Sequence, residues 1–240
     1  LAMNAETGKL RTVVEERANT FVNYGRLWRQ FIKDGKQLLW MSERDNWNHL
    51  YLYDVQKSKV IRQITKGDWF VRGIQRVDEK KGEIYFSASG VNRNGDPYLV
   101  HYYKIGIDGK NMVALTPEEG NHSAQYTYDY RYLLDTYSKV DAAPVTVLRD
   151  AQTGKLVKTL ETADIATLKK HGWVAPEVFV AKGRDGKTDM WGIIQRPTNF
   201  DPNKKYPLFT VIHGGAASMW RDQFVLRWNY HLLAKPGYVV

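Results

Sequence analysis

A repeat constrains this chain more than any other feature of its sequence. Four segments, NAETGKLRTVVEE (4–16), YDVQKSKVIRQIT (53–65), IGIDGKNMVALT (105–116) and RDAQTGKLVKTLET (149–162), share one pattern: an aromatic or β-branched strand, a tight turn and a second strand. Their turn residues Gly8, Ser58, Gly109 and Gly154 stand 50, 51 and 45 residues apart, within or just above the ~40–50-residue spacing of propeller blades. In the clearest period, VRGIQRVD, GEIYFSAS, YLVHYYKI and MVALT are four strand candidates separated by turn-rich EKK, GVNRNGDP and GIDGKN. LLWMSERDNWNHLYLYD and YLLDTYSKVDAAPVTVLRD repeat its central strand–loop–strand unit before and after it. Four antiparallel strands per period define a β-propeller blade. A solenoid or sandwich also spaces strands evenly, so periodicity alone leaves those architectures open.

Three blades and a leading hairpin fall short of the roughly four to eight blades that close a ring. The expectation is therefore a partial propeller that begins inside one blade. After Thr162 the pattern changes. ADIATLKKHGW (163–173) reads as a short helix ended by glycine. PEVFVAKGRDG, TDMWGIIQRP and YPLFTVIHGG read as strands, with Asp185-Gly186 as a hairpin turn. RDQFVLRWNYHLLAK (221–235) gathers Phe224, Leu226, Trp228, Leu232 and Leu233 largely on one helical face, and YVV begins another strand. A hairpin followed by strand, helix and strand is how an α/β-hydrolase sheet begins. The predicted fold class is thus mostly β: four-stranded propeller blades over 1–162, a linker helix over 163–175, and the first strands and helix of an α/β-hydrolase domain over 176–240.

Composition excludes several classes. There is no cysteine, which removes disulfides, thiolate metal sites and cysteine nucleophiles together. Thirty-five Lys and Arg against 26 Asp and Glu give a formal charge of +9. The cations are scattered rather than blocked, so they read as a solvated surface and not as a nucleic-acid footprint. No window approaches 18 consecutive apolar residues, and no membrane span is expected.

MSERDNWNHLYLYD, QITKGDWFVRGI, FDPNKKYP and FVLRWNYHLLA, in that order along nearly the whole chain, resemble the C-terminal propeller blades and first hydrolase strands of the prolyl oligopeptidase family of serine peptidases. The dipeptidyl peptidase IV-type subgroup is the most similar. The resemblance implies a propeller stacked on an α/β-hydrolase domain, a Ser-Asp-His triad in the latter, and cleavage of short peptides, often after proline or alanine. It also leans towards export to the periplasm, and leaves a homo-oligomer among the expected assemblies.

Acyl transfer needs a nucleophile with its base, and donors aimed at the developing oxyanion. His213-Gly214-Gly215 suits the second need, because paired glycines let backbone N–H groups approach a substrate oxygen without a Cβ. In family members with His-Gly-Gly-Pro at this turn the second glycine's amide is the donor, which transfers to Gly215. Dipeptidyl peptidase IV has a tyrosine donor where His213 stands here, and Ala216 replaces the usual proline. None of Ser42, Ser58, Ser87, Ser89, Ser123, Ser138 or Ser218 lies in a Gly-x-Ser-x-Gly elbow. Serine, acid and base are accordingly expected beyond residue 240, and this chain alone is expected to be inactive; the alternative is a non-catalytic propeller module with a vestigial hydrolase portion.

Arg44 and Asp45 are candidates to meet a peptide substrate, against the plainer reading of Glu43-Arg44-Asp45 as a solvated turn. The six histidines, His49, His101, His122, His171, His213 and His231, lack an H-x-x-x-H pair, and no metal or cofactor is expected. Asn121-His122-Ser123 fits the glycosylation sequon, which matters only in a glycosylating host.

Overall fold

The computed structural model describes every residue except 18–21, 24–26 and 213–228. Its described part is built mainly of strands, and three of its sheets have four strands each. The first comprises β3 (Arg29–Ile32), β4 (Gln37–Ser42), β5 (His49–Asp54) and β6 (Lys59–Gln63) in chain order. The second comprises β7 (Phe70–Asp78), β8 (Glu83–Ser89), β9 (His101–Gly106) and β10 (Val113–Ala114), again with sequence neighbours paired. The third comprises β11 (Asn121–Tyr126), β12 (Tyr132–Lys139), β13 (Ala142–Asp150) and β14 (Leu156–Thr162). A hairpin of β1 (Ala2–Met3) and β2 (Leu10–Arg11) precedes them. These are the propeller blades the period predicts.

Alternation along the strands decides what each blade packs against. Leu39, Met41, Leu50 and Leu52 of the first blade meet Val71, Ile84, Phe86, Ala88, Tyr103 and Ile105 of the second in one buried cluster. The intervening Leu38, Tyr51 and Tyr53 point the other way and pack on Val13, which follows the leading hairpin. Strand β5 is buried on both faces for this reason and shows almost no polar alternation. Four of the five residues of the outer strand β6 are exposed.

A second set of contacts joins the blades at their outer hairpins. The four turn residues of the repeat, Gly8, Ser58, Gly109 and Gly154, all have positive φ, at 66°, 53°, 79° and 72°. Three of them sit directly on the preceding repeat. The Ser58 hydroxyl donates to the Thr12 carbonyl at 2.8 Å. A Cβ on Gly109 would stand 3.1 Å from the Ile64 oxygen, and one on Gly154 would stand 2.6 Å from the Ala114 oxygen and 2.7 Å from Leu115 Cα. Arginines on the outer strands fasten the same joints: Arg11 donates to the Val55 carbonyl at 2.7 Å and to Ser58 Oγ at 2.9 Å, and Arg62 donates to the Asp108 carbonyl at 3.0 Å. At the third joint the buried Arg149 reaches the Gly154 carbonyl at 3.4 Å while its guanidinium pairs with Glu118.

By compactness the chain divides into two units, 1–119 with 126–133 and 149–155, and 120–125 with 134–148 and 156–240. In the second unit, α1 (Ala166–Lys170) is followed by the hairpin of β15 (Glu177–Lys182) and β16 (Asp189–Ile194), turned at Gly186 with φ 67°. Phe179 lies across Gly192 on the neighbouring strand, where a Cβ would come within 2.4 Å of its ring. Gln195 and Val240 exchange both backbone hydrogen bonds, while Val239 pairs in parallel with Leu208. Residues 238–240 therefore lie between the end of the hairpin and 207–209, and the sheet becomes mixed. This is narrower than the sequence expectation: YPLFTVIHGG contributes an isolated bridge at Leu208 rather than a full strand, and of the helix expected over 221–235 only α2 (Tyr230–Ala234) falls among the described residues.

The joints give a stability prediction. Gly154→Ala introduces both a left-handed alanine, about 1–2 kcal/mol, and a contact with fixed backbone worth about 1–3 kcal/mol more. Gly8→Ala incurs only the first, because nothing lies within 4 Å of its Cβ. Urea unfolding of both variants should show the larger loss for Gly154→Ala; equal losses would mean that the joint is not tightly packed.

Candidate functional site

The turn predicted to hold an oxyanion, His213 to Gly215, lies outside the described residues, and so does Ser218. What is described is the segment that precedes it in the chain. Phe209 donates to the Val239 carbonyl at 2.8 Å and Val239 to the Pro207 carbonyl at 3.0 Å, a parallel pairing of 207–209 with Val239. Gln195, only 2% exposed, uses its amide to donate to the carbonyls of Val174 at 3.2 Å and Arg196 at 3.1 Å. Thr198 Oγ1 donates to the Gly172 carbonyl at 3.1 Å. These bonds tie the segment after α1 to the sheet edge, where a buried amide would otherwise be left unpaired. The proline-punctuated loop that follows closes on itself, with Phe200 and Tyr206 stacked at 5.0 Å and the Tyr206 hydroxyl accepting from Asp201 N at 2.7 Å.

Arg44 and Asp45 share the β4–β5 loop but have different surroundings. Arg44 donates to Glu16 Oε1 at 2.6 Å, to Ser42 Oγ at 2.7 Å and to the Tyr53 hydroxyl, and its guanidinium lies 4.6 Å from the Tyr51 ring centroid. Burial works to lower its pKa, but the hydrogen bonds and charge of Glu16 and Tyr53 outweigh burial and hold it above the ordinary value. Asp45 Oδ2 accepts from Gln63 Nε2 at 2.6 Å, and Oδ1 caps Trp47 N at 3.3 Å. Burial, with Asp45 second, pushes the Tyr51 phenol up. Sequence reasoning gave Glu16 no role, yet it is the hub of this cluster. Its carboxylate also accepts from Trp40 Nε1 at 2.7 Å and Ser42 Oγ at 2.8 Å. No local spacing signals this, because the partners stand 24 to 28 residues away.

Among the described residues no three His, Cys, Asp or Glu side chains group as metal ligands, and no helix is long and apolar enough to cross a membrane. Three histidines have structural partners instead. His49 is fully buried; its Nε2 donates to the Gly67 carbonyl at 2.9 Å and its Nδ1 accepts from Thr65 Oγ1 at 3.0 Å. The same threonine oxygen accepts from Leu50 N at 2.9 Å. The next blade repeats the device: Thr116 Oγ1 accepts from Tyr102 N at 2.9 Å, and the Thr116 carbonyl accepts from His101 Nδ1 at 2.8 Å. His122 is buried against Asp135, Nδ1 to Oδ1 at 2.8 Å, and stacks on Tyr137. The glycosylation sequon therefore runs along strand β11.

The class of protein is clear from this geometry: part of a β-propeller followed by a sheet that turns from antiparallel to mixed. The family model described as the dipeptidyl peptidase IV (DPP IV) N-terminal region matches residues 1–144, and the chain belongs to that family. It is 30% identical over 194 residues to dipeptidyl peptidase 4 of Trichophyton rubrum, covering 79% of this chain and 24% of that protein. It is 27% identical over 207 residues to prolyl endopeptidase FAP of Mus musculus, covering 83% and 26% respectively. The crystal structure of Porphyromonas gingivalis dipeptidyl peptidase 4 superposes with a TM-score of 0.72 at 28% identity, over 90% of this chain and 29% of that one. The chain thus spans about a quarter of the length of the curated relatives it matches.

His49 generates a pH prediction. Burial lowers its pKa from the ordinary 6.5, so below that value the unfolded chain takes up more protons than the folded one, and stability falls as the pH drops through 6.5 towards the folded pKa. Between pH 7.5 and 5.5 the wild type should lose more of its urea midpoint than His49→Asn; parallel pH profiles would contradict a neutral, buried His49.

Proposed function

We propose that this chain is the propeller-and-first-sheet portion of a serine peptidase that cleaves short peptides, dipeptidyl or oligopeptidase in type, through an acyl-enzyme. In this reading 1–162 are propeller blades, 163–175 a linker and 176–240 the beginning of the peptidase domain. The observation that carries the proposal is membership of the dipeptidyl peptidase IV N-terminal family over 1–144, supported by the mixed pairing around Leu208 and Val239.

His213-Gly214-Gly215 holds the oxyanion, with the Gly215 amide as donor. Donors fixed before the reaction stabilise negative charge without reorganising, which is why such a turn contributes strongly to acyl transfer. The nucleophilic serine, its acid and its base come from sequence that follows this turn. Arg44 and Asp45 stand at a blade loop where one face of the guanidinium is already on Tyr51; their proposed contribution is to peptide binding and not to the chemical step.

Incubated with a fluorophosphonate or a Gly-Pro chromogenic peptide, the 240-residue chain is expected to show neither labelling nor turnover; stoichiometric labelling would overturn the assignment of the triad. In the full-length protein His213→Ala should leave kcat near normal, whereas a loss of about 10²–10³-fold would make the imidazole the donor. Arg44→Ala and Asp45→Ala should lower kcat/KM for peptides with kcat retained, and unchanged kcat/KM would remove both from the site.

A further inference from the structure

A groove of about 570 Å³ opens where the first and second blades meet at their outer hairpins. That volume is in the range of sites for small ligands, roughly 300–1,000 Å³. Its charged lining is Arg62, Lys81, Lys104, Glu83 and Asp108, with the Asn111 amide beside them.

Each carboxylate has a partner within the fold. Glu83 accepts from Lys104 Nζ at 2.7 Å and from the Tyr85 hydroxyl at 2.9 Å. Burial tends to raise its pKa, but those two bonds and the charges of Lys104 and Lys81 hold it lowered. Asp108 Oδ1 accepts from Lys110 N at 3.0 Å. Two of the three cations are differently placed. Arg62 donates one N–H to a main-chain carbonyl, at 3.0 Å, and among the described residues meets no carboxylate. Among the described residues Lys81 makes no side-chain hydrogen bond or ion pair, and it acts on Glu83 through space. The Arg62 guanidinium, with four N–H positions beyond that bond, and the Lys81 ammonium thus line one groove in which Lys104 is already paired with Glu83.

We propose that this groove binds a small multivalent oxyanion, carboxylate or phosphate in chemistry, between Arg62 and Lys81. A planar guanidinium supplies two parallel donors to such a group, while the ammonium adds a point charge. The groove sits on the blade joint that Arg62 fastens, so occupancy also stabilises that joint. The test of this site needs no enzymatic activity.

Calorimetric titration of the 240-residue chain with inorganic phosphate and, separately, with citrate, each against sodium chloride at matched ionic strength, tests the proposal. Saturable one-to-one binding of at least one of them is expected; phosphate alone would identify a phosphoryl ligand and citrate alone a carboxylate. Lys81→Ala, an exposed substitution outside the joint, should weaken that binding by about tenfold, the effect of losing one charge-assisted contact. Arg62→Ala should weaken it further, with its melting temperature recorded because Arg62 also holds the joint. Heats matched by chloride, or an affinity unchanged in Lys81→Ala, would overturn the assignment.

Discussion

The structure depends on a backbone conformation that recurs once per blade. Each outer hairpin closes through a residue at positive φ, and from Ser58 onward that residue lies on the main chain of the repeat before it. At Gly109 and Gly154 a side chain is opposed twice, by the left-handed region and by the approach of neighbouring carbonyls, whereas at Ser58 the hydroxyl itself makes the contact. The joint is therefore specified by shape more than by attraction. Apolar burial between the first and second blades supplies the larger driving force, but it does not set register. The turn, with Arg11 and Arg62 reaching across to main-chain carbonyls, fixes how far one blade slides along the next.

What the sequence disclosed follows from how local each determinant is. The turn residues were legible because glycine or a small polar residue is needed at positive φ and hairpin lengths repeat. The central strands were legible for the same reason of short range. Strand β9 was not bounded correctly: YLVHYYKI suggests a start near Tyr98, but Leu99 N bonds the Asp96 carbonyl in a turn and the strand begins at His101. MVALT shrinks to Val113–Ala114, and Asn111 shortly before it takes a left-handed conformation.

The polar groups were harder to read, because their partners are distant in sequence. His49 pairs with Thr65 and Gly67, and His101 with Thr116, each bridging the end of one blade's hairpin and the crossover to the next. Six histidines without regular spacing carry no hint of this. Glu16 is similarly hidden at the end of the first hairpin segment, yet its side chain is 11% exposed and anchors the segment after the leading hairpin to the first blade. In the candidate site the His-Gly-Gly motif is visible as a motif but lies outside the described residues, and the segment before it shows an isolated parallel bridge between Leu208 and Val239.

If the blade joint is as rigid as this packing requires, the first and second blades open as one cooperative unit. Native-state hydrogen exchange, comparing the amides of β4 and β5 with those of β8 and β9, measures this directly. The account predicts a common opening free energy for both pairs of strands, lowered equally in both by Gly109→Ala. Separate opening energies, with the substitution felt only in the second blade, would contradict it.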